Sequence, residues 1–96
     1  EGITGFTKAC ERIHAARRQA NAHSWSSAIV LAASLAVTWS SPACRQFETK
    51  PLRNPMQHDL AEGAAVPVDG LWPQPQGAGL GIAVDHDVVD HYRLDR

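Results

Sequence analysis

His23 and Glu48 are the residues of this chain whose types best suit proton chemistry. Each lies at the C-terminal end of a short segment, residues 19–23 and 45–49, that could form a β-strand. Imidazole titrates near neutral pH and can act as a general base or acid. Type and spacing alone leave the simpler interpretations open, in which His23 is a surface or core histidine without a catalytic role and Glu48 is a solvated charge at a strand end.

A second group of polar residues near the C-terminus has the types of metal ligands. It consists of Asp85, His86, Asp87, Asp90 and His91. Only residues three or four positions apart meet on a helix, so Asp87 could join Asp90 or His91. An exposed polar helix face explains the same pattern more simply, and we predict no metal ligand within this chain.

The apolar pattern predicts the elements that must position His23 and Glu48. Apolar side chains recur at three- and four-residue steps over residues 4–17, which predicts a helix capped by Thr4. Serines at positions 24, 26 and 27 precede a run that is apolar nearly all round, which predicts a buried helix to about Thr38. A strand, a helix and a strand joined by short links form a βαβ unit with parallel, adjacent strands. His23 and Glu48 should then open at the same end of neighbouring strands.

The rest of the chain is predicted to be irregular. Residues 51–55 form a loop, Asp69-Gly70 forms a turn between extended pieces at 64–68 and 71–72, and residues 74–81 form a connector rich in Pro and Gly. A short strand at 82–84 precedes a last helical turn through Tyr92, capped by Asp85 or Asp87. We therefore divide the chain into βα units at residues 1–50 and a tail at residues 51–96.

Charge and composition exclude some partners. The 96 residues carry nine Lys and Arg against ten Asp and Glu, a formal net charge of −1. This balance builds no basic field for nucleic acid, so no nucleic-acid partner is expected. Two cysteines do not make a disulfide framework, and Cys10 and Cys44 are interpreted as small buried residues of a reduced, cytoplasmic protein.

An apolar run at residues 28–37 mimics a secretory signal, because Arg17-Arg18 precede it and Cys44 follows as a residue that could carry lipid. The run is too short to span a bilayer, which takes about 20 residues. A buried helix explains it more simply, so no membrane association is expected, although an exported lipoprotein stays an alternative.

Four sets of residues, in their order and spacing, resemble the sixth to eighth βα units of the mandelate racemase and muconate lactonizing enzyme family of the enolase superfamily. They are Gly2-Ile3-Thr4-Gly5-Phe6; His23-Ser24-Trp25 before Ser27-Ala28-Ile29; Phe47-Glu48 before Asn54-Pro55; and Asp69-Gly70 before Gly79-Leu80-Gly81-Ile82, Asp85 and Tyr92-Arg93. The resemblance covers essentially the whole chain.

The resemblance implies a partial (β/α)8 TIM barrel, the last βα units with a C-terminal tail that packs toward a capping domain. It implies that His23 is a general base or acid paired with an aspartate on the sixth strand, and that Glu48 hydrogen-bonds the substrate carboxylate. It also implies Mg²⁺ in the parent enzyme, bound by carboxylates of the third to fifth strands, outside this chain. The partners it implies are a small-molecule carboxylate substrate and further copies of the parent in a homo-oligomer.

The function implied is Mg²⁺-dependent removal of the α-proton of a carboxylate substrate. His23-Ser24-Trp25 and Asn54-Pro55 favour an acid-sugar dehydratase or a lactone cycloisomerase, with a mandelate-type racemase as the alternative. The chain begins at Glu1 without an initiator Met, which is typical of a fragment. As an isolated polypeptide it is expected to be non-catalytic.

Overall fold

The computed structural model describes residues 1–95, so Arg96, the last residue of the predicted tail, lies outside the described residues. Helices and strands are mixed in an α/β arrangement. The helices of the described chain are α1 Gly2–Ala15, α2 Ala28–Ser40, α3 Pro55–His58 and α4 His86–Tyr92. Its strands are β1 Ala20–His23, β2 Cys44–Glu48, β3 Ala61–Glu62 and β4 Ala83–Val84.

Helix α1 begins and ends differently from the prediction. Thr4 does not cap it, because the helix starts at Gly2 with Glu1 in the N-cap position and no side-chain cap bond. The first turn is exposed, so water can satisfy its free N–H groups. At the other end Arg17 adopts the left-handed conformation, with φ 56°. Arg18 N–H then donates to the Ile13 carbonyl over 3.0 Å, and this bond closes the helix without a glycine.

Helix α2 begins where the serines predicted. The Ser27 side chain accepts a hydrogen bond from the Val30 N–H over 3.4 Å, which caps the helix. The expectation that α2 is buried on all sides is wrong, because Ile29 and Val30 are exposed. The buried residues of the helix lie on two sides: Ala28, Leu31, Ala32 and Leu35 share one side, and Val37 lies on the opposite side, against Cys10 of α1.

The two main strands form the predicted βαβ unit. Strands β1 and β2 pair in parallel, and His23 lies opposite Glu48 in the register. A bulge interrupts the pairing between Ala20 and Ala22. Beside this sheet, α1 and α2 meet in a core of Cys10, Val37 and Ala43. The strands therefore have one face toward the helices and one exposed face.

The tail is more ordered than predicted. Residues 51–54 form a loop as expected, but α3 was not predicted, and Asn54 caps it by accepting from the Met56 N–H over 2.9 Å. Asp69-Gly70 forms the predicted turn, with Val68 bridged to Leu71, although residues 64–67 form no strand. Asp85 caps α4, as one of the two predicted alternatives.

Strand β3 pairs antiparallel with β4. The tail packs against the start of α2. Leu60 and Ala61 form a buried cluster with Ala28, against which Ile82, Val88 and Val89 pack. The tail is thus joined to the βαβ unit by apolar burial and is not a loose extension. Within residues 1–95, no helix has the length and apolar character needed to cross a membrane.

Candidate active site

The site is built where β1 and β2 end at the same level. His23 and Glu48 are partners in the parallel register, and His23 Nδ1 lies 3.1 Å from Glu48 Oε1. Their side chains are 66% and 44% exposed. The prediction that the two side chains meet at one end of neighbouring strands is confirmed, while their catalytic roles stay predictions.

The contact with Glu48 determines which ring nitrogen of His23 carries the proton. An ionised Glu48 can only accept a hydrogen bond, so Nδ1 of a neutral His23 must donate. Nε2 then holds the lone pair that a general base needs. The arrangement can therefore accept a proton at Nε2 while Glu48 balances the positive charge of the resulting imidazolium.

Trp25 adds an aromatic surface to this site. Its ring stacks on that of His23, with centroids 5.2 Å apart and planes inclined by 25°. The stacking restricts rotation of the imidazole and covers one of its faces. No role was predicted for Trp25, although it belongs to the His23-Ser24-Trp25 motif, because a stacked contact two positions away depends on the turn between β1 and α2.

A second polar pair lies one step further down the same strands. Asn21 Nδ2 donates to Gln46 Oε1 over 3.5 Å. Alternate residues of a strand share a face, so Asn21 lies with His23, and Gln46 with Glu48. All four side chains are exposed. Asn21 and Gln46 were not predicted as site residues, although period-two alternation along the strands places them on the same face as His23 and Glu48.

The turn that follows His23 is held from behind by the tail. Gln57 Nε2 of α3 donates to the Ser24 carbonyl over 3.1 Å, and both residues are buried. Ser24 Oγ and Gln57 Oε1 have no hydrogen-bond partner among residues 1–95. The bond from Gln57 holds the backbone directly after the last residue of β1, and it therefore helps to set the orientation of the His23 side chain. Nothing in the local sequence signals it, since the residues are 33 positions apart.

Two open clefts flank the polar pair. One, of about 820 Å³, follows β2 and is lined by residues that include Gln46, Glu48 and Trp72. The other, of about 440 Å³, lies beside His23 and is lined by Phe6, Ala22 and Val30 among others. Trp72 packs edge-to-face on Phe47, with centroids 4.9 Å apart. Small molecules could therefore approach the pair from either side.

The residues present do not make a magnesium site. Mg²⁺ prefers six oxygen ligands in an octahedron, and His23 with Glu48 offers one nitrogen donor and one carboxylate. In the part of the chain that the structure describes, no group of three His, Cys, Asp or Glu side chains could hold a metal. Asp87, Asp90 and His91 are exposed on α4, where Arg93 lies 3.5 Å from Asp90.

Comparison with known families agrees with the resemblance read from the motifs. Residues 1–88 match the family described as enolase C-terminal domain-like. No curated protein and no solved structure matched the chain. The enolase superfamily comprises lyases and isomerases, and its members generally use Mg²⁺. Because the match covers all but the last eight of 96 residues, this chain belongs to the enolase C-terminal domain-like family of the enolase superfamily.

Proposed function

We propose that this chain is the C-terminal part of an enzyme that removes the α-proton of a carboxylate substrate, with His23 as the base. The observation that carries the proposal is the 3.1 Å contact between His23 and Glu48 at the C-terminal ends of two adjacent parallel strands. In (β/α)8 barrels that end of the sheet holds the chemistry. Residues 1–50 are accordingly proposed as the last βα units of such a barrel, and residues 51–96 as its tail.

His23 acts through Nε2 in this proposal. A proton next to a carboxylate is very weakly acidic, so its removal needs a base that is neutral at the working pH and correctly aimed. Glu48 holds Nδ1–H, and Trp25 holds the plane of the ring. After the transfer the imidazolium is stabilised by the carboxylate 3.1 Å away. The same proton can then be returned to the product.

Glu48 has a second possible role. The family resemblance implies that it hydrogen-bonds the substrate carboxylate, for which it must be protonated. A substrate carboxylate placed in the cleft along β2 would meet Glu48, because this residue lines that cleft. If Glu48 donates to the substrate carboxylate, Glu48→Gln should retain proton exchange, because the amide is still a donor. If Glu48 is the ionic partner of His23, Glu48→Gln should lower exchange, because the partner becomes neutral.

The substrate class rests on resemblance. His23-Ser24-Trp25 and Asn54-Pro55 support an acid-sugar dehydratase or a lactone cycloisomerase, and a mandelate-type racemase is the alternative. A divalent cation would supply charge stabilisation for the product, with ligands from outside residues 1–95. A cytoplasmic location and a homo-oligomeric parent complete the proposal.

The decisive experiment measures hydrogen exchange at the substrate α-carbon. The full-length protein that carries this chain is incubated in deuterated water with Mg²⁺ and a panel of hydroxy acids and acid sugars. His23→Asn should abolish deuterium incorporation, and the matched variant His14→Asn, at an exposed position of α1, should retain it. Undiminished exchange in His23→Asn would exclude His23 as the base.

A second candidate concerns the isolated chain, which we propose is non-catalytic by itself. The supporting observation is that residues 1–95 contain no cluster able to hold a metal. Calorimetric titration of the isolated chain with Mg²⁺ should give no specific binding, and saturable binding of one ion would contradict this candidate. The lipoprotein alternative is disfavoured, because processing before Cys44 would separate β2 from the helix that packs on it.

A further inference from the structure

The two cysteines of the chain meet although they lie 34 positions apart. Cys10 Sγ of α1 is 3.7 Å from Cys44 Sγ, which belongs to the first residue of β2. Cys10 is buried in the core, whereas Cys44 is partly exposed, so the interpretation of both as buried residues is wrong for Cys44. Neither thiol takes part in the proton chemistry proposed for His23.

Of the two cysteines, only Cys44 borders the cleft along β2. Cys44 and Arg45 line this cleft of about 820 Å³, and Cys10 does not. Its volume falls within the range of sites that admit small molecules, roughly 300–1,000 Å³. Arg45 is exposed and supplies a cation for a carboxylate-bearing ligand. Cys44 is thus the cysteine nearer to the cleft, and Cys10 lies buried behind it.

We propose that Cys10 and Cys44 form a redox modification site that reacts with small acidic disulfides of the glutathione type and ends as an internal disulfide. The Cys44 thiolate attacks one sulfur of the reagent, the reagent's S–S bond breaks, and one glutathione thiolate leaves and takes up a proton. The Cys10 thiolate then attacks Cys44 Sγ and expels the second glutathione thiolate, which is protonated in turn. The protein loses two electrons and two protons, and the reagent gains both.

The cross-link would tie α1 to β2 across the core. Helix α1 packs on α2, and β2 pairs with β1, so the bond would fix α1 to the βαβ unit at the start of β2, the end opposite Glu48. Closing a loop of 34 positions removes conformational freedom from the unfolded chain, which should raise the melting temperature by roughly 10 °C or more. This inference stands independently of the proposed function.

The test uses the reduced full chain with glutathione disulfide, followed by peptide mapping under non-reducing conditions. The expected product is a monomer lighter by two hydrogens, in which peptides with Cys10 and Cys44 are joined. Cys10→Ala should stop at a mixed disulfide on Cys44, while Cys44→Ala should stay unmodified because Cys10 is buried. Arg45→Gln should slow the reaction with glutathione disulfide and leave that with neutral hydroxyethyl disulfide unchanged.

Peptide mapping of the wild-type chain tests for the Cys10–Cys44 disulfide even if an alanine variant fails to fold. Cross-linked dimers as the only disulfide product, or two glutathionyl groups on one chain without an internal bond, would overturn the proposal. The order of attack would be refuted if Cys10 in folded Cys44→Ala reacted as fast as Cys44 in Cys10→Ala. Equal rates of wild type and Arg45→Gln with glutathione disulfide would remove the selectivity for acidic reagents.

Discussion

His23 and Glu48 form a contact that is too exposed to matter much for folding. Exposed ion pairs contribute about 0–1 kcal/mol, since water screens both charges, and these side chains are 66% and 44% exposed. We therefore expect Glu48→Gln to change the free energy of unfolding by less than about 1 kcal/mol. Urea denaturation followed by circular dichroism measures this change. A loss of several kcal/mol would assign the pair to stability instead of chemistry.

The surroundings of Cys44 disfavour its thiolate, so the first step of the proposed disulfide exchange should be slow at neutral pH and faster at alkaline pH. Burial raises the pKa of the Cys44 thiol above its ordinary value, and contact with Cys10 raises the pKa further. The neutral thiol is the form that folding favours, so this contribution to stability is full at neutral pH and is lost as the pH rises through the raised pKa.

Alkylation by iodoacetamide tests that pKa, because only the thiolate reacts readily. At slightly alkaline pH, Cys44 in the folded chain should react more slowly than the cysteines of the urea-unfolded chain. Cys10→Ala removes one cause of the raised pKa and should speed the reaction. A folded wild-type chain that reacted as fast as the unfolded chain would contradict the expected shift.

Some contacts of the functional residues could be predicted from local sequence patterns, and others could not. His23 and Glu48 could be predicted, because strand ends in a βαβ unit and residue type place them together. Asn21 and Gln46 follow the same alternation and were predictable in principle. The Cys10–Cys44 and Ser24–Gln57 contacts join residues more than thirty positions apart. Only the packing of α1 and α3 against α2 brings them together, and no periodicity encodes that packing.

At the scale of elements, α2 is the helix that carries the core. Leu35 is 1% exposed, whereas Ile29 of the same helix is 41% exposed. Leu35→Ala should destabilise the chain by roughly 2–5 kcal/mol, because it removes buried methyl groups and leaves a cavity. Ile29→Ala should change stability by no more than about 0.5 kcal/mol. Chemical denaturation of the two variants gives the comparison, and equal losses would mean that Ile29 is also covered.

The end of α1 offers a stabilising change. Arg17 has φ 56°, a left-handed conformation that costs a residue with a side chain roughly 1–2 kcal/mol relative to glycine. Arg17→Gly should therefore stabilise the chain by about 0.5–1 kcal/mol, part of the relief being offset by the greater freedom of glycine when unfolded. Arg18→Gly, at a position without a positive φ, should not stabilise it. Thermal melting of both variants checks the contrast.

Element types were easier to predict than their limits. The pattern of α2 identified a helix but could not show which of its residues would be covered, since that depends on how many neighbours are present. Thr4 has the chemistry of a cap, yet α1 begins earlier because its exposed first turn needs no side-chain partner. Helix α3 has four residues, too few for an apolar period, and its only local signals are Asn54 and Pro55.

The whole molecule exposes more surface than a chain of its size should. Its accessible surface is 6910 Å², against about 5,400 Å² expected for a folded monomer of this mass. Its radius of gyration is 14.3 Å, against about 12.5 Å expected for a globular domain of this length. Within residues 1–95, β1 and β2 pair only with each other, so each has a second edge without a strand. The molecule therefore has the surface of a part that packs against something else.

An isolated chain with these features should associate. Ile29 and Val30 present apolar surface on α2, and the outer edges of β1 and β2 offer free backbone groups. Sedimentation over a range of concentrations should show a mass that rises with concentration, together with binding of a hydrophobic dye. Ile29→Lys should reduce both effects, while Lys8→Gln, an exposed change on α1, should not. A strictly monomeric chain that binds no dye would show that the excess surface is stable in water, and the requirement for a larger partner would fall.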